Sequence, residues 1–243
     1  MSGDLAGTVV CVTGASRGLG EAIARAFAAE GASLVLGARS IDDLERLARE
    51  LGDAMALQTD VRNIADVFGL VEAAVAEHGH LDVMVNNAGV AIYGPFEEVT
   101  EQDLDTMLAT NVKGAFFGSQ AAYQVMKAQH AGLIVNIGSI SGRLHLPGEA
   151  AYGATKWALA GLTGVLRKEA EKHGVRVTCV YPGGIDTPFW KAMDYYPFPA
   201  DRVDPERDFL RPEVVAKAVV DLARLPPEAA VPELVITPML PQL

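Results

Sequence analysis

Only two cysteines, Cys11 and Cys179, occur in the 243 residues, and both lie in apolar, strand-like runs, TVVCVT and VRVTCVY. Two such residues exclude a disulfide framework, and no cysteine or histidine spacing suits a metal, so both thiols read as buried and free. Basic residues are outnumbered, with 20 Lys and Arg against 31 Asp and Glu and a formal net charge of −11. This argues against nucleic acid as a general partner, although a locally basic pocket would still suit phosphate. No apolar run approaches membrane-spanning length. Asp4 and Gly7 stand where a signal peptide needs a basic and then an apolar region. The resulting expectation is a protein with no membrane partner in a reducing, cytoplasmic setting.

Half of the residues are apolar and 21% are charged, enough to bury a substantial core within one large α/β domain. Short β-branched runs recur at Thr8–Thr13, Ser33–Ala38, Met55–Asp60, Leu81–Asn87, Gly132–Ser139, Val175–Tyr181 and Glu233–Thr237. Between most of them lie alanine-rich stretches of helical period. In GEAIARAFAAEG, for example, Ala22, Ile23, Ala26 and Phe27 share a stripe. Strand and helix in alternation predict a doubly wound α/β fold, a parallel sheet with helices on both faces. Near-continuous apolar strands fit burial on both sides. No repeat, low-complexity segment or linker divides residues 1–243. One irregular, proline- and aromatic-rich insertion, 182–211, reads as a lid or pocket wall.

TGASRGLG, Thr13–Gly20, follows a strand and opens a helix, the place where a dinucleotide pyrophosphate binds such a sheet. Gly14, Gly18 and Gly20 remove side chains where the backbone turns and approaches phosphate, and the helix start offers free N–H groups. Ser16, Arg17 and Leu19 complete this candidate cofactor-binding turn. NAD selection usually places a carboxylate at the end of the second strand. VLGARS instead ends on Ala38 and Arg39. Arg39 and Arg17 suit a 2′-phosphate, because a guanidinium matches phosphate as a fork, so NADP(H) is favoured over NAD(H). Asp60 and Val61, at the end of the third strand, are positioned for the adenine.

In AAYGATKWALAG, Tyr152 and Lys156 lie one helical turn apart on one face. A phenol titrates near about 10, and lowering it to about 7 takes roughly 4 kcal/mol of preferential phenolate stabilisation. A neighbouring ammonium works in that direction. Taken alone, the pair also fits an interfacial tyrosine and a solvated lysine. Ser139 ends the fifth strand 13 residues before Tyr152, at the carboxyl edge where ligands bind. NNAG, Asn86–Gly89, ends the fourth strand at the same edge. Asn111 falls inside a long helical stretch, where it reads as a functional residue, a local kink or a satisfied buried amide.

Taken in order and spacing, TGASRGLG, NNAG, Asn111, Ser139, Y-x-x-x-K and PGGIDT resemble the short-chain dehydrogenase/reductase family, from about Thr8 to Thr237. The resemblance implies a seven-stranded parallel Rossmann sheet. It implies Tyr152 as general acid and base, Lys156 lowering its pKa and holding the nicotinamide ribose, and Ser139 polarising the substrate oxygen. Asn111 would hold a water in a proton relay, Asn87, Ala88 and Gly89 would line the adenosine, and Pro182, Gly183, Ile185 and Thr187 would frame the carboxamide. A homotetramer or homodimer built on the helices of Asn111 and Tyr152 is also implied.

The ending VPELVITPMLPQL lacks the glycine-rich TGQ…VDGG-like close of ketoacyl reductases and is closer to reductases of small ketones, aldehydes or hydroxy acids. Phe189, Trp190, Tyr195, Tyr196 and Phe198 are expected at the nicotinamide end as aromatic walls for an apolar substrate. Gly94 and Phe96 are candidates for a further wall, and Arg143 and His145 for the pocket mouth, Arg143 facing a substrate carboxylate. The alternatives are an NADP(H)-binding regulator without turnover, an NAD-dependent member and a ketoacyl reductase.

Overall fold

The computed structural model describes residues 5–190, 195 and 203–239. Its seven strands are β1 (Val9–Thr13), β2 (Ser33–Ala38), β3 (Ala54–Gln58), β4 (Val83–Asn86), β5 (Gly132–Ile137), β6 (Val175–Pro182) and β7 (Glu233–Ile236). They form one sheet in the order β3-β2-β1-β4-β5-β6-β7 with every pair parallel. Parallel neighbours need crossover connections. These run through α1 (Gly18–Ala28), α2 (Ile41–Leu51), α3 (Ile64–His78), α4 (Glu101–Met107), α5 (Ala115–Gln129), α6 (Ala150–Ala170), α7 (Pro205–Asp208) and α8 (Pro212–Ala223). The doubly wound Rossmann architecture expected from the alternation is therefore the one observed.

The strands alternate between two cores. Val10, Val12, Leu34 and Leu36 pack with Ile23 and Phe27 of α1 and Val219 of α8. Val9, Cys11, Val35, Met84 and Ile134 pack on the other face with Leu70 of α3 and Met126 of α5. Both thiols are buried and free, and burial pushes Cys11 up to about 12. Strand ends differ slightly from the apolar runs. Leu81 precedes β4 because its N–H and C=O are both bonded by the Gln129 amide. The third strand closes at Gln58, before Asp60, where the chain turns into the loop leading to α3.

A buried polar network fastens α5 and α6 to the sheet. Asn86 Nδ2 donates to Asn136 Oδ1 at 2.8 Å and to Ser119 Oγ at 3.0 Å, and Asn136 Nδ2 donates to Thr163 Oγ1 at 2.9 Å. Such a network in a low-dielectric core ties the packing together; of its amide oxygens, Asn86 Oδ1 alone is buried without a hydrogen-bond partner among the described residues. The close approach of α5 to β4 depends on Gly118, where an added Cβ would collide with Asn86 Oδ1 and meet Met84 Cε at 3.0 Å. Gly118→Ala gains about 1 kcal/mol of helix propensity, yet overpacking costs about 1–3 kcal/mol and also disturbs the Asn86 amide. The expected outcome is a net loss of stability and a Tm lower by a few degrees in thermal melts; a higher Tm would show that α5 shifts at no cost.

Candidate active site

The sheet order reverses between β1 and β4, and in open α/β sheets the crevice outside the carboxyl ends at such a point is the ligand site. Here the two strand ends are tied together. Thr13 Oγ1 accepts from the N–H groups of Asn87 at 3.0 Å and Ala88 at 3.1 Å, while Asn87 Nδ2 donates to the carbonyls of Thr13 and Gly14. The glycines serve this contact. Gly14, at φ +66°, would place a Cβ 2.8 Å from Ala88 Cα, and a Cβ on Gly20 would strike the Gly14 carbonyl and approach Asn87 Nδ2 at 2.5 Å. Gly18, at φ +61°, faces Thr187. Gly20 is thus also required by close backbone packing within the turn, beside the turning and phosphate approach that the sequence pattern suggests.

A cavity of about 790 Å³ opens over these ends. It is lined by the expected turn residues Gly14, Ser16, Arg17, Gly18, Leu19 and Gly20, by Arg39, Asp60 and Val61, by Asn87, Ala88 and Gly89, and by Pro182, Gly183, Ile185 and Thr187. Arg17, the N-cap of α1, makes no side-chain cap, which leaves the first N–H groups of the helix without a capping oxygen. At the far end of β2 the acids are engaged. Asp60 is clasped by Arg62 at 2.5 Å, and Asp43 takes Ser40 Oγ at 2.7 Å and Arg46 at 3.1 Å. Both carboxyls are held below their ordinary value, Asp60 mainly by Arg62 and Asp43 mainly by Ser40. Neither Arg17 nor Arg39 joins a salt bridge among the described residues.

Ser139, Tyr152 and Lys156 line the same cavity. Tyr152 and Lys156 are buried, and Lys156 Nζ donates to the Ile137 carbonyl at 2.9 Å. Burial pushes the Tyr152 phenol well above the ordinary tyrosine range; a hydrogen bond with Ser139 works against this, and the charge of Glu149 adds to it. Burial also lowers the Lys156 ammonium to about 8. The Nζ lies 5.6 Å from the ring centroid and bonds the backbone, so desolvation dominates.

Asn111 sits in a π-helical segment, Leu108–Gly114, between α4 and α5. π-Bulges occur frequently at functional sites. Its Oδ1 accepts from the Val90 N–H at 2.8 Å, and its Nδ2 donates to the Val90 carbonyl at 2.8 Å and to Thr155 Oγ1 at 3.1 Å. Thr155 Oγ1 donates on to the Tyr152 carbonyl at 2.7 Å. The amide thus joins the NNAG segment to the helix of Tyr152, which combines the kink and the satisfied amide.

Phe189 and Trp190 line the cavity as expected. Trp190 Nε1 donates to the Ile185 carbonyl at 2.7 Å, and its ring lies 6.2 Å from that of Tyr93. Tyr93, whose ring lies 5.4 Å edge-on to Tyr152, was missed by sequence reasoning, as was Glu149. The wall assigned to Gly94 and Phe96 is supplied by Tyr93 and Val90, and Phe96 is exposed. Arg143 does not face the cavity: the turn Ile140–Gly142 directs it over the Tyr181 ring at 4.2 Å and into an ion pair with Glu233. His145 stacks on Trp157 at 5.6 Å and borders an adjoining smaller cavity of about 290 Å³, which Glu149 also lines. Tyr195 is exposed and packs by Gly148, outside the main cavity. Tyr196 and Phe198 lie outside the described residues. No described helix is long and apolar enough to cross a membrane, and no metal-binding group of His, Cys, Asp or Glu occurs among the described residues.

Residues 8–195 match the family described as short chain dehydrogenase. An uncharacterized oxidoreductase of Staphylococcus saprophyticus is 33% identical over 234 residues, with 95% of each chain covered. Among solved structures, an alcohol dehydrogenase from the archaeon Thermococcus sibiricus, complexed with 5-hydroxy-NADP, aligns with a TM-score of 0.87 and 32% identity over 97% of this chain and 98% of that one. The 3-ketoacyl-(acyl-carrier-protein) reductase of Brucella melitensis, complexed with NADH, aligns with a TM-score of 0.87 and 30% identity over 96% and 98%. With the tied strand ends, the glycine turn and the Ser139–Tyr152–Lys156 group on one cavity, these likenesses make the chain a member of the short-chain dehydrogenase family of oxidoreductases.

Proposed function

We propose that the protein is an NADP(H)-dependent oxidoreductase that interconverts a small-molecule carbonyl and its alcohol. The observation that carries this reading is the convergence of Ser139, Tyr152 and Lys156 on the cavity that the glycine turn opens. The residues present fit a dinucleotide. Gly14 and Gly20 have no room for a Cβ, Arg17 makes no side-chain cap to α1, and Arg17 and Arg39 border the cavity with no salt bridge among the described residues. When bound, the nicotinamide supplies the two electrons and the hydrogen that the substrate carbon gains.

The chain's own residues do the rest. Tyr152, kept as a neutral phenol by burial, gives its proton to the substrate oxygen in the reducing direction and takes it back in the oxidising one. Ser139 orients and polarises that oxygen. Lys156 holds the nicotinamide ribose hydroxyls and steadies the phenolate left after transfer. Asn111 is a positioning residue acting through Val90 and Thr155. Arg39 and Arg17 take the 2′-phosphate by charge-assisted hydrogen bonds. A homotetramer or homodimer is supported by exposed Leu108 and Phe116 along the α4–α5 helix and Trp157 and Val165 on α6.

Two measurements test this. Following reduced-nicotinamide absorbance with a panel of ketones, aldehydes, quinones and oxo-acids should reveal turnover that falls by about 10²–10⁴-fold in Tyr152→Phe; binding of NADPH without turnover on any member would favour the regulatory reading. Arg39→Asp should lower the ratio of NADPH to NADH kcat/KM by about 30-fold, the scale of a lost charged hydrogen bond of roughly 2 kcal/mol. An unchanged ratio would remove the NADP preference.

A further inference from the structure

Glu149 is a buried acid that neither the fold nor the proton transfer uses. Only 7% of its surface is exposed. It lies immediately before α6, three residues ahead of Tyr152, and lines the main cavity. Its backbone is satisfied, the N–H donating to the Leu146 carbonyl and the C=O accepting from Gly153. One carboxyl contact is a hydrogen bond from Ser141, whereas Oε2 is buried with no hydrogen-bond partner. A buried acceptor left unmatched is costly, and such a group calls for a specific partner. No salt bridge reaches it among the described residues, and the cations nearest in sequence are directed elsewhere. Arg143 pairs with Glu233, and Lys156 bonds the Ile137 carbonyl.

The surroundings specify what the partner is. Glu149 lines the main cavity together with Tyr93, Tyr152 and Trp190. Tyr93 and Trp190 stand there with ring centroids 6.2 Å apart. An unpaired carboxylate beside electron-rich ring faces favours a cationic nitrogen, through a charge-assisted hydrogen bond and cation–π attraction. It disfavours a substrate carboxylate, as does the withdrawal of Arg143 from the cavity. Resting on the carbonyl–alcohol reading above, we propose that Glu149 is a specificity-determining residue that binds an ammonium group on the substrate. The substrate class is then an amino ketone and the corresponding amino alcohol. In the reducing direction the carbonyl carbon gains a hydride from the reduced cofactor and the oxygen gains the Tyr152 proton. The ammonium remains intact throughout.

The test uses three ketones of matched size: α-aminoacetophenone, assayed where its amine is protonated, its carbon isostere propiophenone, and the neutral donor α-hydroxyacetophenone. Wild-type protein with NADPH should prefer the amine, and Glu149→Gln should cut the ratio of kcat/KM for amine over isostere by about 30-fold, which is about 2 kcal/mol. A merely structural role for Glu149 would lower both values and leave the ratio unchanged, which would overturn the proposal. A wild-type preference for propiophenone or for the hydroxyketone would overturn it as well. Calorimetric binding of the same compounds to the NADP⁺-saturated protein separates this proposal from the activity. Tighter binding of the amine that Glu149→Gln removes would support it even without turnover, whereas equal binding of amine and isostere would end it. Unchanged NADP⁺ affinity in the variant shows that its fold is intact.

Discussion

The tie between Thr13 and the Asn87–Ala88 backbone is the contact on which the rest of the site depends. It joins the two strands at which the sheet order reverses, using one hydroxyl to satisfy two adjacent N–H groups. To make it, β1 and the segment after β4 must approach until Gly14 almost touches Ala88. That approach excludes a Cβ at Gly14 and Gly20, and the cavity opens over the joined ends. Asn111 carries the same constraint further, through Val90 to Thr155 and the helix of Tyr152. The glycine turn, the helix of Tyr152 and the sheet edge are therefore joined by one continuous set of hydrogen bonds.

Electrostatics within that unit are set more by burial than by pairing. The phenol is raised and the ammonium lowered, both chiefly by desolvation, and Ser139 is the partner that pulls the phenol back down. A buried neutral tyrosine suits proton donation to a substrate oxygen. Glu149 shares this environment; its carboxyl is likewise raised by burial. The charge balance around the reacting atoms thus depends on what the cavity binds, because bound cationic groups favour both phenolate and carboxylate.

Much of this was legible in the sequence because it is local. Strand runs, the glycine turn and the Tyr152–Lys156 spacing each follow from periodicity or from backbone needs within a few residues. What sequence missed depends on contacts between distant segments. Thr13 and Asn87 are 74 residues apart, and the Asn86–Asn136 pair is separated by 50; neither leaves a pattern. Tyr93 and Glu149 lie in or beside loops whose side-chain direction no period fixes. Arg143 and His145 were placed at the pocket mouth on chain proximity to Ser139. The short turn at Ile140–Gly142, packed where a Gly142 Cβ would lie 2.9 Å from the Lys156 carbonyl, sends both away.

The proposed proton transfer depends on burial keeping Tyr152 a neutral phenol. Carbon-13 NMR of protein labelled at the tyrosine Cζ, titrated with base and assigned by the signal missing in Tyr152→Phe, measures this directly. In the cofactor-free protein the Tyr152 signal is expected to stay protonated beyond the pH at which exposed tyrosines ionise. Ionisation of that signal below the ordinary tyrosine value, without cofactor, would contradict it and return the lysine to the leading role.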